Sequence, residues 1–205
     1  MQTRVLFLLF ILFFSQHVEA QEENAGTNAT YFNYLQSGML LGKSGTGSSV
    51  TISTVHGLRM KRFSFGIGIG YDDYSRNTID YYLYQPAIYD NWRSMPVFAA
   101  VSYDWLSLKN GALFLQVNAG YAKMWERRTG EIDRASDVKG GFLFNPMTGV
   151  RINAANMRLY ILAGYKIQRN SYKFDDGGIW SYPGRLISIE ESLGRAVIKI
   201  GFGIN

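Results

Sequence analysis

The stretch from Phe63 to Tyr71 reads FSFGIGIGY and alternates large apolar side chains with serine or glycine. Successive side chains of a β-strand point to opposite faces, so this strand would have one apolar face and one nearly bare face. Its length of about nine residues matches a tilted strand that crosses a bilayer. The stretch therefore predicts a strand whose large side chains face lipid and whose glycines face a crowded barrel interior.

The same two-residue period recurs along the rest of the chain. Eight segments show it, although in the first two the pattern does not show which face is apolar. The segments are Tyr34–Lys43, Val50–Leu58, Phe63–Tyr71, Met95–Leu106, Leu113–Tyr121, Lys139–Ile152, Leu159–Gln168 and Ala196–Ile204. Strands that cross a bilayer must close on one another, because an open sheet edge leaves backbone groups unpaired in hydrocarbon. The prediction is therefore an all-β fold, an eight-stranded antiparallel up-and-down transmembrane β-barrel.

The connections between these segments alternate in length. Four residues make up each of Arg59–Arg62, Leu108–Gly111 and Asn153–Asn156, whereas Ser75–Ser94 and Asn170–Ile187 are much longer. Outer-membrane barrels have short periplasmic turns and long external loops. With a periplasmic N-terminus, the long connections would lie outside the cell.

The first twenty residues have the pattern of a secretory signal peptide. A basic start that ends at Arg4 precedes the apolar run Val5–Phe14, and Val18 and Ala20 have sizes accepted at a signal peptidase site. A helix of that run would rise only about 15 Å, half the hydrocarbon thickness. We predict a signal peptide at residues 1–20, a flexible periplasmic leader at 21–32 and the barrel at 33–205, in the outer membrane of a Gram-negative bacterium.

The composition argues against several classes of function. The 205 residues include no cysteine, which removes thiolate metal sites, disulfides and cysteine nucleophiles. Loss of His17 with the signal peptide would leave His56 as the single imidazole of the mature chain. We therefore expect no cofactor, no metal site and no catalytic residue. The net charge of +5 comes from dispersed basic residues of an exported chain, so no nucleic-acid partner is expected.

Six segments, taken in order, resemble a known family. They are TVHGLRMKRFSFGIGIGYDDY (54–74), MPVFAAVSYDW (95–105), LFLQVNAGYA (113–122), GGFLFNPMTGVRI (140–152), LYILAGYKIQR (159–169) and VIKIGFGI (197–204). The chain is similar to the small outer-membrane β-barrel family related in architecture to OmpX and the OmpA membrane domain, in its Bacteroidetes version. The resemblance implies outer-membrane lipids and the barrel assembly machinery as partners, and it implies location better than activity. Family members end on an aromatic residue, whereas this chain ends on Asn205.

Polar residues on the non-apolar faces of the strands are predicted to line the interior. They are Asp104, Gln116, Asn118, Arg151, Lys166, Gln168 and Lys199. Charges in such a place must pair or be hydrated, because their isolated burial is costly. An eight-stranded interior is about filled by its own side chains, so a polar network that plugs it is favoured over a small-solute pore.

Aromatic residues are predicted to serve in two places. Seven lie near strand ends, where interfacial girdles form, although packing under the loops is an alternative; they are Tyr71, Tyr74, Tyr103, Trp105, Tyr121, Trp125 and Phe202. Nine others lie on the long connections as a candidate contact surface for an unknown extracellular ligand or surface partner. They are Tyr81, Tyr82, Tyr84, Tyr89, Trp92, Tyr172, Phe174, Trp180 and Tyr182. Rigid amphipathic rings are typical of binding surfaces, but these rings could equally pack on one another and hold the loops upright.

These observations favour a structural or surface-interaction barrel of the outer membrane that acts through its external loops. A lipid-modifying barrel enzyme is the alternative from another class, and it would depend on His56 near the periplasmic end of the second strand. A small-solute pore is the third possibility. The single histidine argues against the enzyme.

Overall fold

A computed structural model describes six ranges of the chain, and the predicted signal peptide lies outside them. The ranges are 29–42, 48–78, 88–126, 135–154, 157–175 and 186–204. Their strands are β1 (Ala29–Leu41), β2 (Ser49–Met60), β3 (Phe63–Thr78), β4 (Ile88–Leu108), β5 (Gly111–Glu126), β6 (Ala135–Lys139), β7 (Gly141–Ala154), β8 (Met157–Asp175) and β9 (Leu186–Ile204). Within these ranges no helix is long and apolar enough to cross a membrane.

The strands form one closed antiparallel sheet. Each wall strand is hydrogen-bonded to the strand on either side of it. The sheet closes because β9 pairs both with β8 and with β1. The last ladder joins Asn33 to Ile204 at one end and Leu41 to Ala196 at the other, so the closing seam covers most of β1. The prediction of an eight-stranded antiparallel barrel is confirmed, because β6 and β7 together make one strand of the wall.

β6 and β7 are two parts of one wall strand that is interrupted by bulges. Both pair with β8, and the register shifts between Ser136 and Lys139. Asp137 lies in that interval with a φ of 55°, a conformation found at bulged positions in which the chain carries one residue more than its partner. The break at Gly140 therefore bends the strand without taking it out of the wall.

The outward face of the barrel is a belt of large apolar side chains. On β3 the exposed residues are Phe63, Phe65, Ile67 and Ile69, and Ile67 is 70% exposed. The alternating residues of β5, β8 and β9 are exposed in the same way. The structure also resolves the faces of the first two strands; on β1, for example, Leu35 points outward. An apolar surface this continuous is what contact with hydrocarbon requires.

The inward face combines apolar packing with polar side chains. Buried Phe98 and Leu162 belong to one apolar cluster that runs through the interior. Phe98 packs over Gly68, where an added Cβ would collide with the ring and lie 3.0 Å from the carbonyl oxygen of Thr54. The predicted inward position of the β3 glycines is thus confirmed, and Gly68 is required there because a large ring from the next strand fills its space.

Short turns and long connections lie at opposite ends of the barrel. Lys61–Arg62 and Lys109–Asn110 join their strands as tight turns at what we call the turn end, and the opposite end is called the loop end. The turns are shorter than the predicted four-residue connections, because the flanking residues are paired in the strands. The sorting of short and long connections is as predicted.

Several strands extend further than the alternation indicated. At the loop end, β4 begins at Ile88 rather than Met95, and β9 begins at Leu186 rather than Ala196. The side chains there no longer alternate between apolar and polar, but a backbone ladder needs no such alternation to continue. At the turn end, β1 begins at Ala29, so residues 29–32 pair with β2 instead of belonging to the leader, and the barrel begins before residue 33.

Charge substitutions on the outward face test whether it contacts lipid. Ile67 lies in the middle of the apolar run of β3, and Ile204 ends β9 at the turn end. We expect Ile67→Arg to lower the free energy of unfolding from lipid vesicles by about 2–4 kcal/mol, and the matched control Ile204→Arg by about 0–1 kcal/mol. Urea unfolding followed by tryptophan fluorescence measures both, and equal effects at the two positions would contradict a membrane-spanning belt.

Candidate functional site in the barrel interior

The seven polar residues predicted for the interior all lie there. Each is buried, with exposed fractions from 0% for Gln168 to 7% for Asp104 and Arg151. They lie on five strands of the wall, which are β4, β5, β7, β8 and β9. The structure therefore brings the whole predicted set into one space, where six of the seven side chains belong to three groups and Lys199 has a separate partner.

The first group surrounds a buried carboxylate near the loop end. Asp72 of β3 forms an ion pair with Lys166 of β8 across the barrel. The same carboxylate oxygen accepts a hydrogen bond from Ser94 Oγ at 2.9 Å. Ion pairing and hydrogen bonding together offset the cost of removing both charges from water, which pairing alone often does not. This cluster links three strands of the wall through side chains.

Tyr74 connects the Asp72 cluster to its neighbours. Its hydroxyl donates to Gln168 Oε1 at 2.8 Å, and its oxygen lies 3.3 Å from the Asp72 carboxylate. The Arg195 guanidinium lies over the Tyr74 ring at 4.9 Å from the centroid, and Arg195 also donates to Ser49 Oγ at 2.7 Å. A cation above a buried aromatic ring is favourable because the ring face is negative.

The second group is a chain of neutral polar residues in the interior. Tyr34 donates to Gln116 Oε1 at 3.2 Å, and Gln116 Nε2 donates to Asn118 Oδ1 at 2.9 Å. Separately from this chain, Lys199 of β9 donates to Ser53 Oγ at 3.3 Å, so this cation has a neutral partner. Such bonds satisfy buried polar groups that would otherwise be costly.

The third group lies near the turn end. Arg151 donates from both terminal nitrogens to the two oxygens of Asp104, at 3.1 and 2.8 Å. This two-pronged geometry is the strongest form of an arginine–carboxylate pair. Arg59 of β2 donates to Ser64 Oγ at 3.1 Å and lies over the Phe32 ring.

The described interior is strongly cationic. Its inward side chains include two carboxylates, Asp72 and Asp104, and six basic groups. The basic groups are Arg59, Arg151, Arg158, Lys166, Arg195 and Lys199. The described side chains therefore give the interior a net charge of +4, with two excess positive charges at each end.

Asp72 and Tyr74 are interior residues that the sequence interpretation missed. Asp72 was not assigned to a face, and the prediction that Tyr74 belongs to an interfacial girdle is wrong, since it is 2% exposed inside the barrel. The signal was present: both are even-numbered on β3, like the inward Gly66, Gly68 and Gly70. The other six girdle candidates point outward, and Tyr71 contacts Trp125 there with ring centroids 6.4 Å apart.

Two of the nine aromatic residues of the candidate contact surface can be placed with their side chains. Trp92 and Tyr172 are 2% and 8% exposed, and their rings meet edge to face with centroids 4.8 Å apart. These two rings therefore pack on each other, as the alternative interpretation of the loop aromatics predicts. Tyr81, Tyr82, Tyr84, Trp180 and Tyr182 lie outside the described residues, and the side chains of Tyr89 and Phe174 are not described either.

His56 lies on the outward face of β2, closer to the turn end than to the loop end. Its Nδ1 is 2.7 Å from the Tyr31 hydroxyl, and its Nε2 is 3.2 Å from Thr54 Oγ1. The imidazole is therefore held between two hydroxyl groups on the wall, away from the interior network. In the part of the chain that the structure describes, no three His, Asp or Glu side chains are arranged to hold a metal ion.

Comparisons with known proteins show the fold. No family profile matches the chain, and no curated protein does either. Among solved structures, Neisserial surface protein A (NspA) is similar with a TM-score of 0.54 and 13% identity, over 86% of this chain and 97% of that one. The outer membrane protein OprG from Pseudomonas aeruginosa is similar with a TM-score of 0.62 and 9% identity, over 87% and 97% of the two chains. At these identities the likeness establishes that the chain has the architecture of small outer-membrane β-barrels.

Proposed function

We propose that the chain is an integral outer-membrane β-barrel with a plugged polar interior, and that it has a structural or surface-interaction role through its external loops. One observation carries the proposal: the large apolar side chains point out of a closed barrel, and the hydrogen-bonded polar ones point in. Water-soluble barrels have the opposite arrangement. The similarity in fold to two outer-membrane proteins supports the same location in a Gram-negative bacterium.

The plugged interior is supported by the side chains that cross it. Lys166 of β8 reaches Asp72 of β3, and Tyr34 of β1 reaches Gln116 of β5. Each contact joins strands that are not neighbours in the wall, so the side chains bridge the lumen. An eight-stranded barrel has an interior just wide enough for such side chains to fill.

The packing of Trp92 against Tyr172 makes the proposed role of the external loops more specific. This pair lies buried at the loop end and would support whatever lies above it. Five other aromatic residues of the long connections would then be the contact surface for an extracellular ligand or surface partner; they are Tyr81, Tyr82, Tyr84, Trp180 and Tyr182. Outer-membrane lipids and the assembly machinery are the further proposed partners.

We assign no enzymatic role to the chain. A lipid-modifying barrel would depend on His56, which lies between the hydroxyls of Tyr31 and Thr54 on the outward wall, away from the long external connections. A small-solute pore remains the alternative with a specific observation in its favour, because a cationic interior would select anions. Conductance measurements separate the pore from the plugged barrel.

The location is tested by cell fractionation with gel electrophoresis of unboiled and boiled samples. We expect the protein in the outer-membrane fraction, with a different mobility before and after boiling, because a closed β-barrel resists unfolding by detergent at room temperature. A soluble periplasmic protein whose mobility does not change on boiling would contradict the barrel in the membrane.

The plugged interior is tested by recording currents across planar bilayers that contain the purified protein. We expect no discrete channel openings, because bridging side chains leave no continuous water path. Discrete openings that prefer anions would overturn this part of the proposal and favour the pore.

The importance of the buried ion pair is tested by two adjacent substitutions on β3. Asp72→Ala leaves Lys166 buried without its carboxylate, so we expect it to lower the free energy of unfolding by about 3–5 kcal/mol. The control is Asp73→Ala, which removes an outward carboxylate 3.7 Å from Arg93 in a partly exposed pair and should cost about 0–1 kcal/mol. Urea unfolding in vesicles measures both, and similar losses would show that the interior pair has no special importance.

A further inference from the structure

The turn-end mouth of the barrel holds three arginines and one carboxylate. Arg59 comes from β2, Arg151 from β7 and Arg158 from β8, and all three are close enough to influence one another electrostatically. Arg151 stands directly opposite Tyr160 in the β7–β8 ladder, and Arg158 is two residues before Tyr160 on the same face. Arg151 and Arg158 therefore lie on one area of the inner wall, and Arg59 faces them from β2 on the other side of the barrel, within electrostatic reach of both.

The carboxylate neutralises only one of these arginines. Both oxygens of Asp104 are taken by the terminal nitrogens of Arg151. Arg59 has a neutral hydroxyl partner in Ser64, and no described carboxylate pairs with Arg158. Among the described residues, two positive charges are thus left without a carboxylate partner in a space lined by protein, where charge repulsion is screened less than in water.

Hydrogen-bond donors at this place also lack acceptors. The Nε of Arg151, the Nε and Nη1 of Arg158, and the Tyr160 hydroxyl are buried and have no hydrogen-bond partner in the part of the chain that the structure describes. Tyr160 is 2% exposed, and its ring is held between Tyr34 and Phe114, at centroid distances of 4.8 and 6.0 Å. Its hydroxyl is therefore fixed beside the arginines rather than free to turn toward another partner.

We propose that the turn-end mouth is a binding site for a phosphate-type oxyanion, held by Arg59, Arg151, Arg158 and Tyr160. The planar guanidinium fork fits the oxygens of phosphate, and several such oxygens can accept from several donors at once. A phosphate with up to two negative charges matches the two uncompensated positive charges. Water could accept the same hydrogen bonds, but it would leave the charge unbalanced.

The site can be reached from the turn end. Arg59 is the last residue but one of β2, Arg158 is the second residue of β8, and both are partly exposed. If the turn end is periplasmic, as the proposed function has it, the oxyanion could be free phosphate or the phosphate of a lipid headgroup. The chemistry recognised is the same in both cases.

The binding test uses the full barrel folded in phosphate-free detergent micelles at constant ionic strength. Inorganic phosphate is titrated in while the Nε–H signals of the arginines are followed by NMR and the affinity is measured by calorimetry. We expect saturable shifts of the Arg151 and Arg158 signals. A short-chain phosphatidylglycerol is titrated in parallel, and signals that respond to it alone would identify a lipid headgroup as the ligand.

Variants separate the site from a general effect of charge. We expect Arg158→Gln to weaken binding about tenfold and Tyr160→Phe about threefold, in line with the loss of a charged and a neutral hydrogen bond. The control is Arg169→Gln on the same strand, which removes an arginine from the exposed face and should leave affinity unchanged. Heat-modifiable gel mobility verifies that each variant is folded.

Three results would overturn the proposal. They are the absence of a saturable shift with either phosphate compound, an equal response to chloride, and equal weakening by Arg158→Gln and Arg169→Gln. The measurement is made in micelles and does not depend on where the protein resides in the cell, so its failure is distinct from failure of the proposed outer-membrane role.

Discussion

The structure depends on closure of its backbone ladder. In hydrocarbon no water is available to pair with a free N–H or C=O, so every strand needs a partner on both sides. The ladder between β1 and β9 supplies the last of these partners and joins the beginning of the barrel to its end. Because this ladder joins residues more than 150 positions apart, β1 lacks its second partner until the chain is nearly complete. The outward apolar belt and the inward polar side chains are the two faces of this one closed sheet.

The described interior in turn is organised around two carboxylates. Asp72 is held by Lys166, Ser94 and the nearby Tyr74, and Asp104 is held by Arg151. Removing such a group exposes a partner to the cost of an unpaired charge in a poorly solvated space. Glycine contributes in the opposite way, since Gly68 leaves room for the Phe98 ring. The lumen is too narrow to hold large side chains from every wall strand. Hydrogen-bonded polar side chains therefore fill part of it, and glycines on other strands leave room for them.

Sequence patterns predicted the wall better than the ends. The alternation at Phe63–Tyr71 identified a strand and its lipid-facing side, and parity along the other strands placed Lys166 and Arg151 inside. Tyr74 was misplaced because its aromatic character was weighed above its position on β3. The strand ends were underestimated because hydrophobic alternation reports contact with lipid, whereas pairing of backbone groups continues beyond the belt. The specific pairs inside, such as Asp72 with Lys166, depend on which strands face each other across the lumen, and a period of two carries no information on that.

The charge of the interior shows where most of the basic excess of the sequence lies in the folded molecule. Of 21 basic and 16 acidic residues, six and two line the described interior, which leaves 15 and 14 for the rest of the chain. The +4 of the described interior is thus most of the net charge of +5 that the sequence carries. Folding does not change this net charge, but it places most of the excess inside the wall, out of contact with a charged resin. The folded protein should therefore bind a cation-exchange column more weakly than the denatured chain does.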